Sequence, residues 1–415
     1  MQHGVCHQPG SGDDGVTPLW APLAVTFLAS LGTGIFWNAI AFIARNTYDF
    51  PQERNFVLAA VMGAVYVIGA FGIGRIMQRL EHRLRPRTLL VGLMVAQGVL
   101  CFGPVAIGRE AVFWITAAGV SIASAAMWPL LESYLTAGRH GRAMRSAIGW
   151  FNITWMSAVI VPLLAMPPLL EDRGEWVIGA QAIASLLALV PLCFFAARPR
   201  HHAADLAAAS VTAEYPLLLR SARVLLPMSC LLFMAMGPIL PYRFEDIGVK
   251  LEFQTPATAT WMFARFAAML VMYRLRFWHG RWGTLLLAGS LMTGGFALVI
   301  LAPDLLRMLV GFVFFGVGIG AVYYAALYYA MSVGRAEVGA GGVHEALIGS
   351  GYTLGPLAGL TGTVLAQGTA LGRAATAGQA IVGVVWALVA LGAIGAALPY
   401  ARARRLRRRA ANTER

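Results

Sequence analysis

"HRLRPRTLLVG", residues 82–92, places His82 and three arginines directly before an apolar run, and the preceding "GRIMQRLE", residues 74–81, adds Arg75 and Arg79. The pattern returns as "HGRWGTLLLAG" at 279–289, an offset of 197 residues that matches the histidine, the paired leucines and the final glycine. "SYLTAGR" ending at Arg139 aligns with "YYAMSVGR" ending at Arg335 at an offset of 196, and "SAVIVPLLA" from Ser157 aligns with "GYTLGPLAG" from Gly351 at 194. A nearly constant offset at three separate points marks an internal duplication.

What is duplicated follows from composition. Hydrophobic residues make up 58% of the 415-residue chain and charged residues 12%, against about 45–50% and about 25% in soluble domains. Apolar stretches long enough to cross a hydrocarbon core of about 30 Å as helices recur with cores near 20–44, 56–74, 88–107, 112–135, 146–166, 176–197, 222–241, 257–273, 284–302, 305–333, 342–367 and 376–399. Long unbroken runs exclude a membrane barrel, whose strands alternate in about ten-residue segments. The expected fold is an all-α integral membrane protein of twelve transmembrane helices arranged as two six-helix pseudo-repeats. Its expected divisions are an N-terminal tail (1–19), a first six-helix bundle (20–197), a linker (198–221), a second bundle (222–399) and a basic tail (400–415), the tail read as a disordered segment at the membrane surface. Paired six-helix repeats are an architecture of secondary transporters, with the substrate path between them.

Charge sets the orientation. Segments on one side of the twelve spans carry 23 basic residues and those on the other 8, together with ten of the nineteen acids. The positive-inside rule then puts both termini in the cytoplasm of a cell (inner) membrane. The first eighteen residues hold no Lys or Arg, so the first span is read as retained and not as a cleaved signal. A net charge of +13 is explained by this bias and by anionic lipid at the basic loops and tail, and nucleic acid is not expected as a partner. Four dispersed cysteines without a C-x-x-C spacing read as apolar packing, and His3, Cys6 and His7 lack a fourth ligand, so no metal and no cofactor is expected. No span shows paired carboxylates or a G-x-S-x-G nucleophile, and there is no P-loop, which speaks against an enzyme or a primary pump.

On these residues the chain resembles the major facilitator superfamily, whose loop between spans 2 and 3 carries G-x-x-x-D-[RK]-x-G-[RK]-[RK]. Gly74, Arg79 and Arg83 fit that signature, while Gln78 replaces the aspartate, Glu81 the second glycine and His82 a basic residue. The family element G-x-x-x-G-P-x-x-G stands in span 11 as Gly351, Gly355, Pro356 and Gly359; its span-5 counterpart has only Ser157, Val161, Pro162 and Ala165, a departure from drug/proton antiporters that carry it there. The resemblance implies that the 2–3 loop binds the halves together when the cavity faces outward. With Gln78 in the aspartate's place, Glu132 near the end of span 4 is the expected partner of Arg75 or Arg79; the alternative is that these arginines only set topology.

Ionisable residues deep in spans are costly and usually functional. Arg265 lies about eight residues from either end of span 8, about 12 Å at 1.5 Å per residue, and is read as a contact for an anionic or hydroxyl-bearing solute, with snorkelling along a groove as the alternative. Asn38 beside Trp37 and Asn152 near Trp155 combine hydrogen-bonding and aromatic groups, as small-molecule cavities do; family members use spans 1, 4, 5, 7, 8, 10 and 11 for the cavity. In span 10, Gly316 and Gly320 form a small-x-x-x-small step, and Tyr324 and Tyr328 share a face at i, i+4, with Tyr323 and Tyr329 pointing elsewhere. Glu132, and Glu345 beside His344, are the candidates for proton coupling, both placed near an interface; symport and uniport both stay open. The expected function is a secondary transporter for a small polar or amphipathic solute, acting as a monomer by alternating access. The alternative is a transport-inactive membrane scaffold or assembly factor.

Overall fold

The computed structural model describes residues 17–80, 83–139, 141–171, 173–199, 214–333, 338–368 and 376–413, and these form helices joined by short turns. In chain order the long helical segments are α1 (Trp20–Tyr48), α2 (Gln52–Leu80), α3 (Pro86–Ile107), α4 (Glu110–Thr136), α5 (Gly141–Ala165), α6 (Gly174–Leu192), α7 (Tyr215–Asp246), α8 (Leu251–Arg274), α9 (Trp282–Leu301), α10 (Leu305–Val333), α11 (Val338–Gly368) and α12 (Ala377–Thr413). Ten of them are long and apolar enough to cross a membrane. The remaining two, α8 and α11, are the ones that carry Arg265 and the glycine-rich element, so the polar and small residues that suggested a site also lower their hydropathy. Large apolar side chains stand exposed around the outside, among them Val99, Phe102, Leu286, Leu306 and Leu391. That surface is suited to lipid chains and not to water.

Helix is the form in which such segments satisfy every backbone N–H and C=O without water. The short turns between them are closed by left-handed residues such as Asp49 after α1 and Gly108 after α3, the latter where a glycine meets no steric cost.

The repeat is visible in who packs on whom. α1 packs on α5 and α6 as α7 packs on α11 and α12; α2 and α3 flank α4 as α8 and α9 flank α10. The two sets meet along two seams, α2 with α11 and α5 with α8, which are equivalent pairs under the exchange of halves.

Two boundaries differ from the sequence reading. α7 starts at Tyr215, inside the expected linker, and α12 continues to Thr413. The Arg- and Ala-rich tail therefore extends a helix where a disordered segment was expected. Those residue types have high helix propensity, an existing helix needs no new nucleus, and cations at its C-terminal end suit the helix dipole. The N-terminal group His3, Cys6 and His7, the acids and bases of residues 81–82, and most of the linker lie outside the described residues.

Candidate functional site

Close helix approach builds the centre of the molecule. Gly316 and Gly320 of α10 sit against the backbone of α8: a Cβ on Gly316 would strike the Trp261 carbonyl oxygen, and one on Gly320 would lie 2.8 Å from that of Arg265. Gly351 and Gly355 of α11 do the same against α7, where a Cβ on Gly351 would lie 2.6 Å from Cys230 Cβ and one on Gly355 2.9 Å from the Ala235 nitrogen. The first pair presses Arg265 against α10, and the second sets the face of α11 that bears Tyr352 and Glu345. Pro356 is buried within α11.

Arg265 is 7% exposed. Its guanidinium carbon lies 4.6 Å from the Trp155 ring centre and 4.9 Å from that of Tyr323, and the two rings are nearly parallel with centres 5.8 Å apart. Each cation–π contact is worth about 0.5–2 kcal/mol, and neither supplies a hydrogen-bond acceptor. The Nε–H is buried without a partner, a state that costs about 1–3 kcal/mol. One wall of this clamp belongs to α5 and the other to α10, so Arg265 is held between the halves.

On the other seam, α1 contains a π-helical turn at Ile35–Ala39 that presents Trp37 and Asn38; such turns recur at functional sites. Trp37 packs edge-on against Tyr66 at 5.3 Å and tilted against Tyr352 at 4.5 Å. Tyr66 donates its O–H to Oε2 of Glu345, across the halves. Asn38 donates to the Thr33 carbonyl oxygen at 3.2 Å, which leaves its own Oδ1 unpaired.

Several sequence expectations thus converge here: Arg265, Trp155, Trp37, Asn38 and Glu345 lie in one buried region. Glu345 is 5% exposed. Glu132 makes no ion pair with Arg75 or Arg79, which are exposed together with Arg83; it lies within electrostatic range of Glu345 instead. The physical reason is position: Glu132 is half-buried on α4, whereas the loop arginines stand exposed. The side chains of Gly74's neighbour Gln78 and of His344 lie outside the described residues, as does any contact of Gly74 itself. Asn152 and Tyr324 are brought together a turn away, in a narrow cleft with Met156, Phe266, Met269 and Tyr273. Asn152 donates to the Ile148 carbonyl oxygen at 3.0 Å and its Oδ1 is unpaired.

Tyr328 belongs elsewhere. It stacks on His279 at 4.5 Å and meets Trp278 edge-on at 4.9 Å, near the end of the bundle where α8 gives way to α9. Tyr323, which the i, i+4 pairing had turned away, is the tyrosine beside Arg265. Tyr66 and Tyr352 also escaped the sequence reading; their signal is only that they fall opposite Glu345 once α2 and α11 are paired.

At the end of the bundle opposite the termini, polar groups join the halves. Arg45 donates through Nε and Nη2 to the two oxygens of Glu245, each at 3.0 Å. Asn55 donates to the Tyr242 hydroxyl at 2.9 Å and Tyr242 to the Phe50 carbonyl oxygen, while Gln52 donates to Thr363 and Gln367 to Glu53. No group of three or more potential metal ligands occurs among the described residues.

Comparison with known proteins agrees with this architecture. A bacterial homologue of the human lysosomal transporter Spinster, in an inward-facing and unoccupied conformation, superposes with a TM-score of 0.65 at 14% identity, over 94% of this chain and 98% of its own. The nucleoside transporter NupG superposes at 0.63 and 11% identity, over 92% of this chain and 98% of its own. No curated protein sequence matches the chain. The sequence model of the Major Facilitator Superfamily matches residues 24–356. That match, over most of a chain whose described residues form long helices in two equivalent sets, leads to one statement: the chain belongs to the Major Facilitator Superfamily.

Proposed function

We propose that the protein is a secondary transporter that carries a small polar or amphipathic solute by alternating access between the halves 20–197 and 222–399, with both termini on the cytoplasmic side of the inner membrane. The observation that carries this reading is Arg265, a buried guanidinium with an unpartnered Nε–H, clamped by one aromatic ring from each half. A solute that offers an acceptor there touches both halves at once, so its binding reports on their relative position. Trp37, Asn38 and Trp155 line the same region, and Asn152 with Tyr324 borders it. In this reading the Arg45–Glu245 latch closes the external end and must part when that end opens. The basic loops and the helical tail meet anionic lipid, and the transporter works as a monomer.

A thermal-shift screen of the purified protein against sugars, organic acids, amino acids, nucleosides and cationic drugs tests the assignment. A solute at about 100 times its Kd adds about 2.7 kcal/mol of stability. Arg265→Ala is expected to remove that gain, since a hydrogen bond to a charged group is worth about 1.5–3 kcal/mol. Stabilisation that survives in Arg265→Ala would move the site elsewhere, and none by any compound at millimolar concentration would favour the scaffold reading.

A further inference from the structure

The two seams between the halves are equivalent in the repeat but not in their packing. Where α2 meets α11, backbone approaches backbone: a Cβ on Gly63 would strike the Tyr352 carbonyl oxygen and lie 2.7 Å from the Thr353 nitrogen. Where α5 meets α8, the glycine at the contact is covered by a ring, and a Cβ on Gly149 would lie 2.8 Å from Cε2 of Tyr273. Side chains therefore space α5 from α8, and the spacing leaves a cleft. Its outer part, a cavity of about 370 Å³, is lined by Trp150 and Ile153 of α5 and by Leu270, Tyr273 and Arg274 of α8. Ile153, Leu270 and Tyr273 also line the narrow inner part that reaches Asn152 and Tyr324. One groove thus runs inward from the outer surface of the bundle.

Depth in the membrane determines what can enter. α8 has 24 residues and spans about 36 Å at 1.5 Å per residue, slightly more than a hydrocarbon core of about 30 Å. Arg274, its last residue, stands at headgroup level, and Leu270, one turn deeper, stands among lipid chains. Trp150 and Tyr273 are 53% and 42% exposed, and their amphipathic rings favour this boundary. An apolar cleft left empty forfeits the dispersion contacts of its walls, and the molecules that reach a lateral opening at this depth are those of the bilayer. Charge then selects among lipids. Arg274 is exposed and forms no ion pair among the described residues. The chain from Arg274 to Trp282 adds Arg276 and Arg281 and holds no acid. A guanidinium is a forked donor that matches the oxygens of a phosphate.

We infer that the α5–α8 cleft is a binding site for an anionic phospholipid of the leaflet on the side of the termini, with its phosphate on Arg274 and one acyl chain along Ile153 and Leu270. The site is separate from Arg265 and takes no transported solute. It makes one lipid a resident part of the looser seam.

The test is native mass spectrometry of the full-length protein, delipidated in detergent and titrated with dioleoylphosphatidylglycerol or dioleoylphosphatidylcholine. One phosphatidylglycerol is expected to bind more tightly than those that follow it, and more tightly than phosphatidylcholine. Arg274→Ala is expected to weaken that first binding by about tenfold, as the loss of a hydrogen bond to a charged group does, and Arg274→Lys to recover part of it. Leu270→Trp fills the cleft while every charge stays in place, and is expected to abolish the first binding. Ile153→Phe fills it from the opposite wall and replaces Leu270→Trp if that variant fails to fold by thermal unfolding. Arg404→Ala, exposed on the tail of α12, serves as a control with the parent's affinity. First binding that is equal for the two lipids, or unchanged in Arg274→Ala, overturns the anionic site. A loss in Arg404→Ala as large as in Arg274→Ala overturns it in favour of diffuse attraction to the basic surface, and binding that survives in a folded cleft-filling variant places the lipid elsewhere. None of these outcomes bears on the solute screen with Arg265→Ala, so the two readings fail separately.

Discussion

The halves meet through polar groups in two places, and the two are built on opposite terms. At the end away from the termini, Arg45 and Glu245 form a two-bond ion pair with side chains 34% and 40% exposed. Water can replace either partner, so the pair is worth about 1 kcal/mol or less, whereas the neighbouring Asn55–Tyr242 and Gln52–Thr363 bonds are more sheltered, with Asn55 and Thr363 buried. In the middle, Arg265 and Glu345 are buried beneath aromatic rings, where a charge left without a partner is expensive. A junction that water can dissolve is suited to opening and closing. A junction that water cannot reach demands that something else answer its charges.

The largest effect that would test this contrast comes from the packing that places Arg265. In Gly316→Leu the new side chain has to enter the backbone of α8 at Trp261. Thermal unfolding of the detergent-purified variant is expected to show a loss of about 3 kcal/mol, the upper part of the range for overpacked cores. A variant as stable as the parent would mean that the middle is softer than this comparison holds.

Tyr66→Phe comes next. It removes the donor to Glu345 and nothing else, and a stability loss of about 1–3 kcal/mol is expected for a buried acceptor left unsatisfied. A neutral outcome would place water or another donor at Glu345 and bring the middle closer in character to the latch.

Arg45→Ala should cost about 1 kcal/mol at most, so its readout is a population and not a melting point. Spin labels at Thr47 and Ile247 are expected to show the open fraction of that end rising by about fivefold, the factor that 1 kcal/mol corresponds to. The swap Arg45→Glu with Glu245→Arg should restore the parent distribution, and high salt should mimic the alanine variant in the parent. Indifference to both would remove the ion pair from the latch.

The smallest effect concerns pH. Burial and the nearby Arg276 hold the His279 imidazole below its ordinary value of 6.5, so the unfolded chain takes up a proton there more readily than the folded one. The stability tied to neutral His279 is complete above that value and falls as pH drops below it. Between pH 8 and pH 5 the parent is expected to lose more thermal stability than His279→Phe, which keeps a ring against Tyr328; an equal loss would deny His279 any part in it.

Spans, the duplication and Arg265 were legible because each is written in local sequence: length, offset, and a charge amid apolar residues. The glycine steps were legible as well, although which helix they admit was not. Pairings such as Arg45 with Glu245 or Tyr66 with Glu345 join residues 200 and 279 positions apart, and no periodicity within one helix encodes them. Helical phase explains the exchange of Tyr328 for Tyr323. The i, i+4 rule groups tyrosines on a face, but only the contact of α10 with α8 decides which face looks inward. The helical tail is masked in sequence by its charge density, although arginine and alanine are both strong helix formers.

The π turn at Ile35–Ala39 has a consequence best counted as an angle. It inserts one residue into the winding of α1, and resolving it into ordinary α-helix would rotate one part of that helix against the other by about 100°. Trp37 sits within that turn and bridges Tyr66 of one half and Tyr352 of the other. The first helix therefore stores a quarter-turn of screw at the point where the halves touch, enough to swing an indole out of the seam while the helix axis stays straight.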